Sequence, residues 1–288
     1  MIGFAQEEWV PRIPLDEWTS RAVDWVTDTF EGFFDVLGAV IETVVGAMQF
    51  VFTAPPALAV IAALAVLAFL LAGWRMAVFT ALGLVFMISL GLWEETALTL
   101  ALILVAATVS LAIGIPIGIL AAKSRSLENA LRPVLDLMQT MPAFVYLVPV
   151  VVLLGLGAGP ALIATVIFAM PPAVRLTMLG IQQVPKETVE AAQAFGATSW
   201  QTLWKVELPL SLKSIMAGVN QVIMLSLSMV VIAGLVGFSG LGDPVVSGLN
   251  TLDVGLSFVG GIGIVIVAII LDRVTRKASE RGGTGKTA

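Results

Sequence analysis

The chain has 288 residues, 58% of them hydrophobic and 12% charged, and its mean hydropathy of +1.01 is far from the balance of a water-soluble domain. With 0 His and 0 Cys it lacks a residue needed for zinc or haem ligation through those side chains, for thiol catalysis and for Ser-His-Asp hydrolysis. The formal net charge of -5 argues against an anionic partner such as nucleic acid, but in so apolar a chain the distribution of charge matters more than its sum.

Residues 1–54 form a first element. Met1 to Val10 has neither the basic start nor the apolar core of a cleavable signal, so this stretch is expected to persist. From Trp18 to Met48 the apolar residues Trp18, Ala22, Val26, Phe30, Phe33, Leu37, Ile41, Val44 and Met48 recur at helical spacing. Glu17, Arg21, Asp24, Asp28, Glu31, Asp35 and Glu42 take the other face. Two readings stand: an amphipathic helix lying on the outer membrane surface, or a helix packed on the rim of a bundle.

Seven apolar runs follow, each a candidate to cross about 30 Å of hydrocarbon. They are Pro55–Gly73, Met76–Trp93, Thr96–Ala122, Pro142–Gly157, Pro160–Gly180, Pro209–Val236 and Val254–Leu271. Pro116 is expected to kink or end the third, and Pro171 with Pro172 to interrupt the fifth. The fold class is therefore all-α, a polytopic helix bundle. With the N-terminus outside, Arg75, Lys123, Arg125, Arg132, Arg175, Lys186, Lys205, Lys213, Arg273, Arg276, Lys277, Arg281 and Lys286 fall inside, and only Arg12 and Arg21 of the 15 basic residues fall outside.

Between the fifth and sixth runs lies a hydrophilic stretch, 182–209, which this charge split places in the cytoplasm. It reads Glu190-Ala191-Ala192, then Gly196, then Val206, Glu207, Leu208 and Pro209. Pro185 suits the first position of a short helix, Gly196 can take the left-handed conformation that ends it, and Thr198 with Gln201 has capping-box spacing for a second. The expected product is a helix-turn-helix knob presenting Phe195, Trp200, Leu203 and Trp204 to a groove on a partner.

Those fixed positions resemble the EAA loop of permease subunits of ATP-binding-cassette (ABC) importers, with Val206 in place of Ile. Gln139 to Tyr146 (QTMPAFVY) and Gly237 to Gly242 (GFSGLG) further resemble the glycine betaine/proline betaine branch. The resemblance implies a type I importer transmembrane fold over about 94–273, preceded by two extra spans at 55–93 and the amphipathic tail at 1–54, and followed by a cytoplasmic tail at 274–288. It implies that Glu190, Ala191, Ala192, Gly196, Leu208 and Pro209 couple the spans to a separate ATPase subunit. That subunit holds ATP and Mg, and this chain holds no cofactor and no metal. An extracytoplasmic binding protein, a second permease copy and membrane lipid are the other implied partners. The substrate it implies is a quaternary amine such as glycine betaine, proline betaine, choline or carnitine.

Aromatic faces attract quaternary ammonium ions, which makes Phe144, Tyr146, Phe168 and Phe238 candidates along the path, against the plainer reading of packing. Asn220 and Gln221 inside the sixth run either line that path or bond neighbouring helices. Gly282-Gly283-Thr284-Gly285-Lys286-Thr287 imitates the end of a phosphate-binding loop, but Glu280 stands where its leading Gly belongs and no helix can follow. A type I permease for another small solute is one alternative. A secondary transporter is another, of a different class, but Asp136, Asp243, Asp253 and Asp272 lie at or beyond run ends, leaving no mid-membrane carboxylate for ion coupling.

Overall fold

The computed structural model describes residues 13–283, with side chains through residue 278; the start of the N-terminal tail and the Thr284–Thr287 part of the phosphate-loop imitation lie outside the described residues. Among the described residues there are thirteen α-helices, one π-turn and no strand. In chain order the helices are α1 (Leu15–Thr53), α2 (Ala57–Ala72), α3 (Trp74–Ser89), α4 (Trp93–Lys123), α5 (Arg125–Thr140), α6 (Ala143–Leu154) and α7 (Ala158–Gln182). Then come α8 (Lys186–Ala194), α9 (Ser199–Thr202), the π-turn (Leu203–Glu207), α10 (Leu208–Ser228), α11 (Val230–Leu235), α12 (Gly242–Thr251) and α13 (Val254–Gly283).

α4 and α7 form the centre of the bundle. Glu94 and Glu95 in the first turn of α4 and Lys123 in its last complement the helix dipole. The flank toward α7 is built from small residues, and a Cβ on Gly118 would sit 2.6 Å from the Val174 carbonyl oxygen. Contact that close takes the place of the hydrophobic drive that lipid does not supply between helices. α10 packs along α7 and also touches α4 and α13. Ala97, Ala101, Ala107, Ala169, Ala173 and Val222, all buried, fill the centre.

Seven crossings are not what the helix lengths give. Five helical stretches are long and apolar enough to span: Leu15–Thr53, Trp93–Lys123, Ala158–Gln182, Ser199–Leu235 and Val254–Ala278. A sixth results if α5 and α6, bent by 91° to each other, count as one broken span. The first two expected runs become α2 and α3, of 16 residues each, or about 24 Å at 1.5 Å per residue, shorter than the hydrocarbon core. They are joined through Gly73 at φ 91 and fold back on each other. The fourth run shrinks to α6, whose 12 residues reach about 18 Å.

Of the two readings for the first element, packing on the bundle has direct support. α1 is one helix with a kink at Phe30, and beyond the kink Ile41, Val45 and Phe52 are buried against the bundle, with contacts to α4, α6 and α7. Nor do the prolines interrupt: α4 runs through Pro116, and α7 through Pro171 and Pro172. Both α7 prolines are buried within the bundle.

Candidate coupling site

The 182–209 stretch folds as two short helices and a turn. Pro185 stands at the N-cap of α8 (φ -55, ψ 128) rather than at its first helical position, and Glu187 occupies the first turn, at the positive end of the dipole. The helix ends where Gly196 takes φ 85; its N–H donates to the Gln193 carbonyl at 2.9 Å, and Ala197 donates to the Ala192 carbonyl at 3.1 Å. A Cβ at Gly196 would meet nothing within 4 Å. Glycine is required there by the backbone angle and not by space.

The second helix opens on the expected capping box: Gln201 N–H donates to Thr198 Oγ1 at 3.3 Å, and Thr198 N–H donates to Gln201 Oε1 at 2.9 Å. Trp200 and Trp204 meet edge to face with centroids 5.5 Å apart. Phe195, Trp200 and Trp204 are 93%, 67% and 53% exposed, an apolar surface of the kind that marks an interaction site. Leu203 departs from the expected set, since it is buried and packs inward. Glu190 is exposed and Ala192 half-buried, while Leu208 and Pro209 start α10, with the proline where its missing N–H is harmless.

Sequence reading missed two residues that the fold makes prominent. Glu207, just before Leu208, is buried and accepts a hydrogen bond from Lys123 at the end of α4. A hollow of about 350 Å³ beneath α8 is lined by this pair together with Gln182, Lys186, Glu190 and Gln193. The only signal was a carboxylate standing where an apolar span begins; its partner lies 84 residues earlier and no local pattern points to it. Beside the hollow, Gln182 donates to Glu128 of α5 at 2.9 Å, and Arg175 of α7 pairs with Asp136 of α5. The Glu128 carboxyl is held below the usual carboxylate range, first by its hydrogen bond from Arg132 and next by that from Gln182.

Of the aromatic path candidates, Tyr146, Phe168 and Phe238 join one apolar cluster formed by α1, α4, α6, α7 and α11, whereas Phe144 is 53% exposed and stands apart from it. Phe238 is 5% exposed, in the loop before α12. Gln221 lines a separate groove of about 490 Å³ with Gln139, Arg175 and Met224, while the Asn220 Oδ1 is buried without a hydrogen-bond partner. The loop at 237–242 is itself packed into the bundle. Leu241 N–H donates to Thr99 Oγ1 at 2.8 Å, and a Cβ on Gly242 would lie 2.0 Å from the Val230 carbonyl oxygen.

Among the described residues, long apolar helices surround one polar helix-turn-helix knob, the architecture expected of a membrane permease subunit. Residues 114–281 match the family described as binding-protein-dependent transport system inner membrane component. The chain is 48% identical over 276 residues to the glycine betaine/carnitine transport permease protein GbuB of Listeria monocytogenes, covering 94% of this chain and 98% of that protein. It is 46% identical to the glycine betaine/proline betaine transport system permease protein ProW of Escherichia coli, covering 92% and 75% respectively. It is also 46% identical to the glycine betaine transport system permease protein OpuAB of Bacillus subtilis, covering 95% and 98%. The fold is similar to that in a structure of the MetNI methionine ABC transporter in an inward-facing conformation, at a TM-score of 0.58 and 21% identity over 64% of this chain and 92% of that one. The chain belongs to the family of inner-membrane components of binding-protein-dependent ABC transporters, multi-pass permeases that work with a separate ATPase and a substrate-binding protein.

Proposed function

We propose that this chain is the permease of an ATP-driven importer for a quaternary amine osmolyte, with glycine betaine the first candidate. The observation that carries the substrate class is the likeness, over 92% to 95% of the chain, to permeases whose names specify glycine betaine. The knob at 182–209 docks on the ATPase, which holds ATP and Mg, with Phe195, Trp200 and Trp204 as its apolar contact, Glu190 as a charged contact and Gly196 as the turn. Two knobs are needed for a pair of ATPases, and two copies of this chain supply them. Phe144, Tyr146 and Phe168 contribute aromatic surface to the path, whereas Phe238, 5% exposed, packs within the bundle. The outer docking surface for the binding protein is the exposed tip at 249–256, where Leu252 is 85% and Val254 81% exposed. The chain divides as tail, two short apolar helices, transporter core and cytoplasmic end, with boundaries near 54, 93 and 273.

The knob and the C-terminus lie in the cytoplasm and the N-terminus outside. Because α2 and α3 enter and leave as a pair, the side of the N-terminus depends only on whether α1 crosses. A single Cys at Ser20 is expected to react with an impermeant reagent in intact cells; reaction only after permeabilisation makes α1 a crossing helix and reverses the N-terminus. For the function itself, the chain is expressed with its ATPase and binding protein in cells lacking other betaine uptake. Labelled glycine betaine should accumulate and unlabelled quaternary amines should compete. Accumulation of none of them, with the complex assembled, refutes the substrate class.

A further inference from the structure

Lys123 closes α4 and Glu207 closes the π-turn, and their side chains form an ion pair. The Glu207 side chain is 7% exposed and that of Lys123 46%. A carboxylate so far out of water is costly unless paired, so this contact is fixed in the fold and is not an incidental surface bridge. The knob thus has two unlike halves. α8 buries none of its residues and overlies the hollow, whereas the π-turn buries Leu203 and Glu207.

Two rigid routes leave the buried half. Glu207 runs directly into Leu208 and α10. Lys123 leads into α4, which carries α7 with it because the two helices approach to backbone contact at Gly118. Without the ion pair, the π-turn is covalently continuous with α10 but has no polar tie to α4 among the described hydrogen bonds. The links Gln182–Glu128 and Arg175–Asp136 join α7 to α5 and bypass the knob.

We propose that the Lys123–Glu207 ion pair is the strut by which a displacement of the knob reaches α4, a helix to which the π-turn has no other polar tie among the described hydrogen bonds. Both are positioning residues for coupling and do not themselves hold the ATPase. The inference rests on the importer reading, and its test separates the two. Wild type, Lys123→Met, Glu207→Gln, Lys123→Arg and the swap Lys123→Glu/Glu207→Lys are each purified with the ATPase and reconstituted with the binding protein in liposomes. Three quantities are read: retained ATPase, ATP hydrolysis stimulated by loaded binding protein, and glycine betaine taken up per ATP.

Lys123→Met and Glu207→Gln should keep the ATPase yet import at least tenfold less per ATP, Lys123→Arg should import near the wild-type ratio, and the swap should recover a substantial part of it. Where a single variant reaches the membrane poorly, Lys123→Arg and the swap decide: an unchanged ratio in Lys123→Arg with recovery in the swap supports the strut, and a swap as uncoupled as the singles overturns it. Single variants that assemble and import at the wild-type ratio also overturn it, while leaving the importer reading intact. A wild-type chain that neither retains the ATPase nor imports overturns that reading, and the strut with it.

Discussion

Two glycine-marked turns sit at opposite ends of the bundle and need their glycines for different reasons. At the knob, Gly196 has open space around it and a backbone angle, φ 85, that side chains disfavour. At the α11–α12 turn, Gly242 has no room at all, with the Val230 carbonyl oxygen 2.0 Å from where a Cβ would stand. The first turn shapes a surface on which Phe195, Trp200 and Trp204 stand exposed. The second closes the bundle on itself, so substitutions at the two should fail in different ways: one in transport, the other in folding.

The largest effect is expected from Gly242→Ala. The added methyl collides with backbone, which cannot rotate away as a side chain can, and the cost is about 3 kcal/mol or more. Membrane extracts should contain much less intact protein, measured by immunoblot and by thermal stability in detergent. A normal level and stability would show that the turn can open.

Next is Gly196→Val. A β-branched residue at positive φ costs on the order of 1–3 kcal/mol, confined to a turn that supports no span. Protein level should stay near wild type while uptake of labelled glycine betaine falls at least tenfold and less ATPase co-purifies. Full uptake with full ATPase retention would remove the knob as the coupling element. Trp200→Ala is expected to weaken ATPase retention without altering the turn, because it deletes one of three exposed aromatics. Titrating the ATPase against the variant in detergent should show a several-fold weaker affinity. Glu190→Ala should be milder still, since an exposed charge contributes about 0–1 kcal/mol.

The smallest change should come from Leu252→Gly at the outer tip, where leucine holds φ 57 and glycine relieves the strain. Stability should move by less than about 1 kcal/mol, since that relief offsets glycine's entropy cost. Stimulation of ATP hydrolysis by binding protein should nevertheless decline, because an 85% exposed apolar contact is gone. Unchanged stimulation would move the docking surface elsewhere on the outer face.

Local chemistry made the knob legible. Pro185, Gly196 and the Thr198–Gln201 box act within a few residues of themselves, and the turn forms as their spacing implies. Tertiary facts were not legible. The buried position of Leu203, the pairing of Lys123 with Glu207 and the packing of Phe238 all depend on helices distant in sequence. The span count failed for a related reason. Hydropathy measures composition, so Pro55–Gly73 and Met76–Trp93 read as full-length runs, yet the helices formed there, α2 and α3, have only 16 residues each. For α1 the two-faced pattern left the surface and rim readings open, and it is the burial of Ile41, Val45 and Phe52 against the bundle that favours the rim.

The helical path from Ser199 to Leu235 has a mechanical consequence. From Leu203 to Val230 it reaches about 40 Å at 1.5 Å per residue. Near its far end Gly242 seats against the Val230 carbonyl, and at its near end stands the knob. Were the rod to tilt by about 5° about that seat, the knob end would travel roughly 3.5 Å and the middle half as far, so a rotation too small to disturb the seat is amplified at the knob.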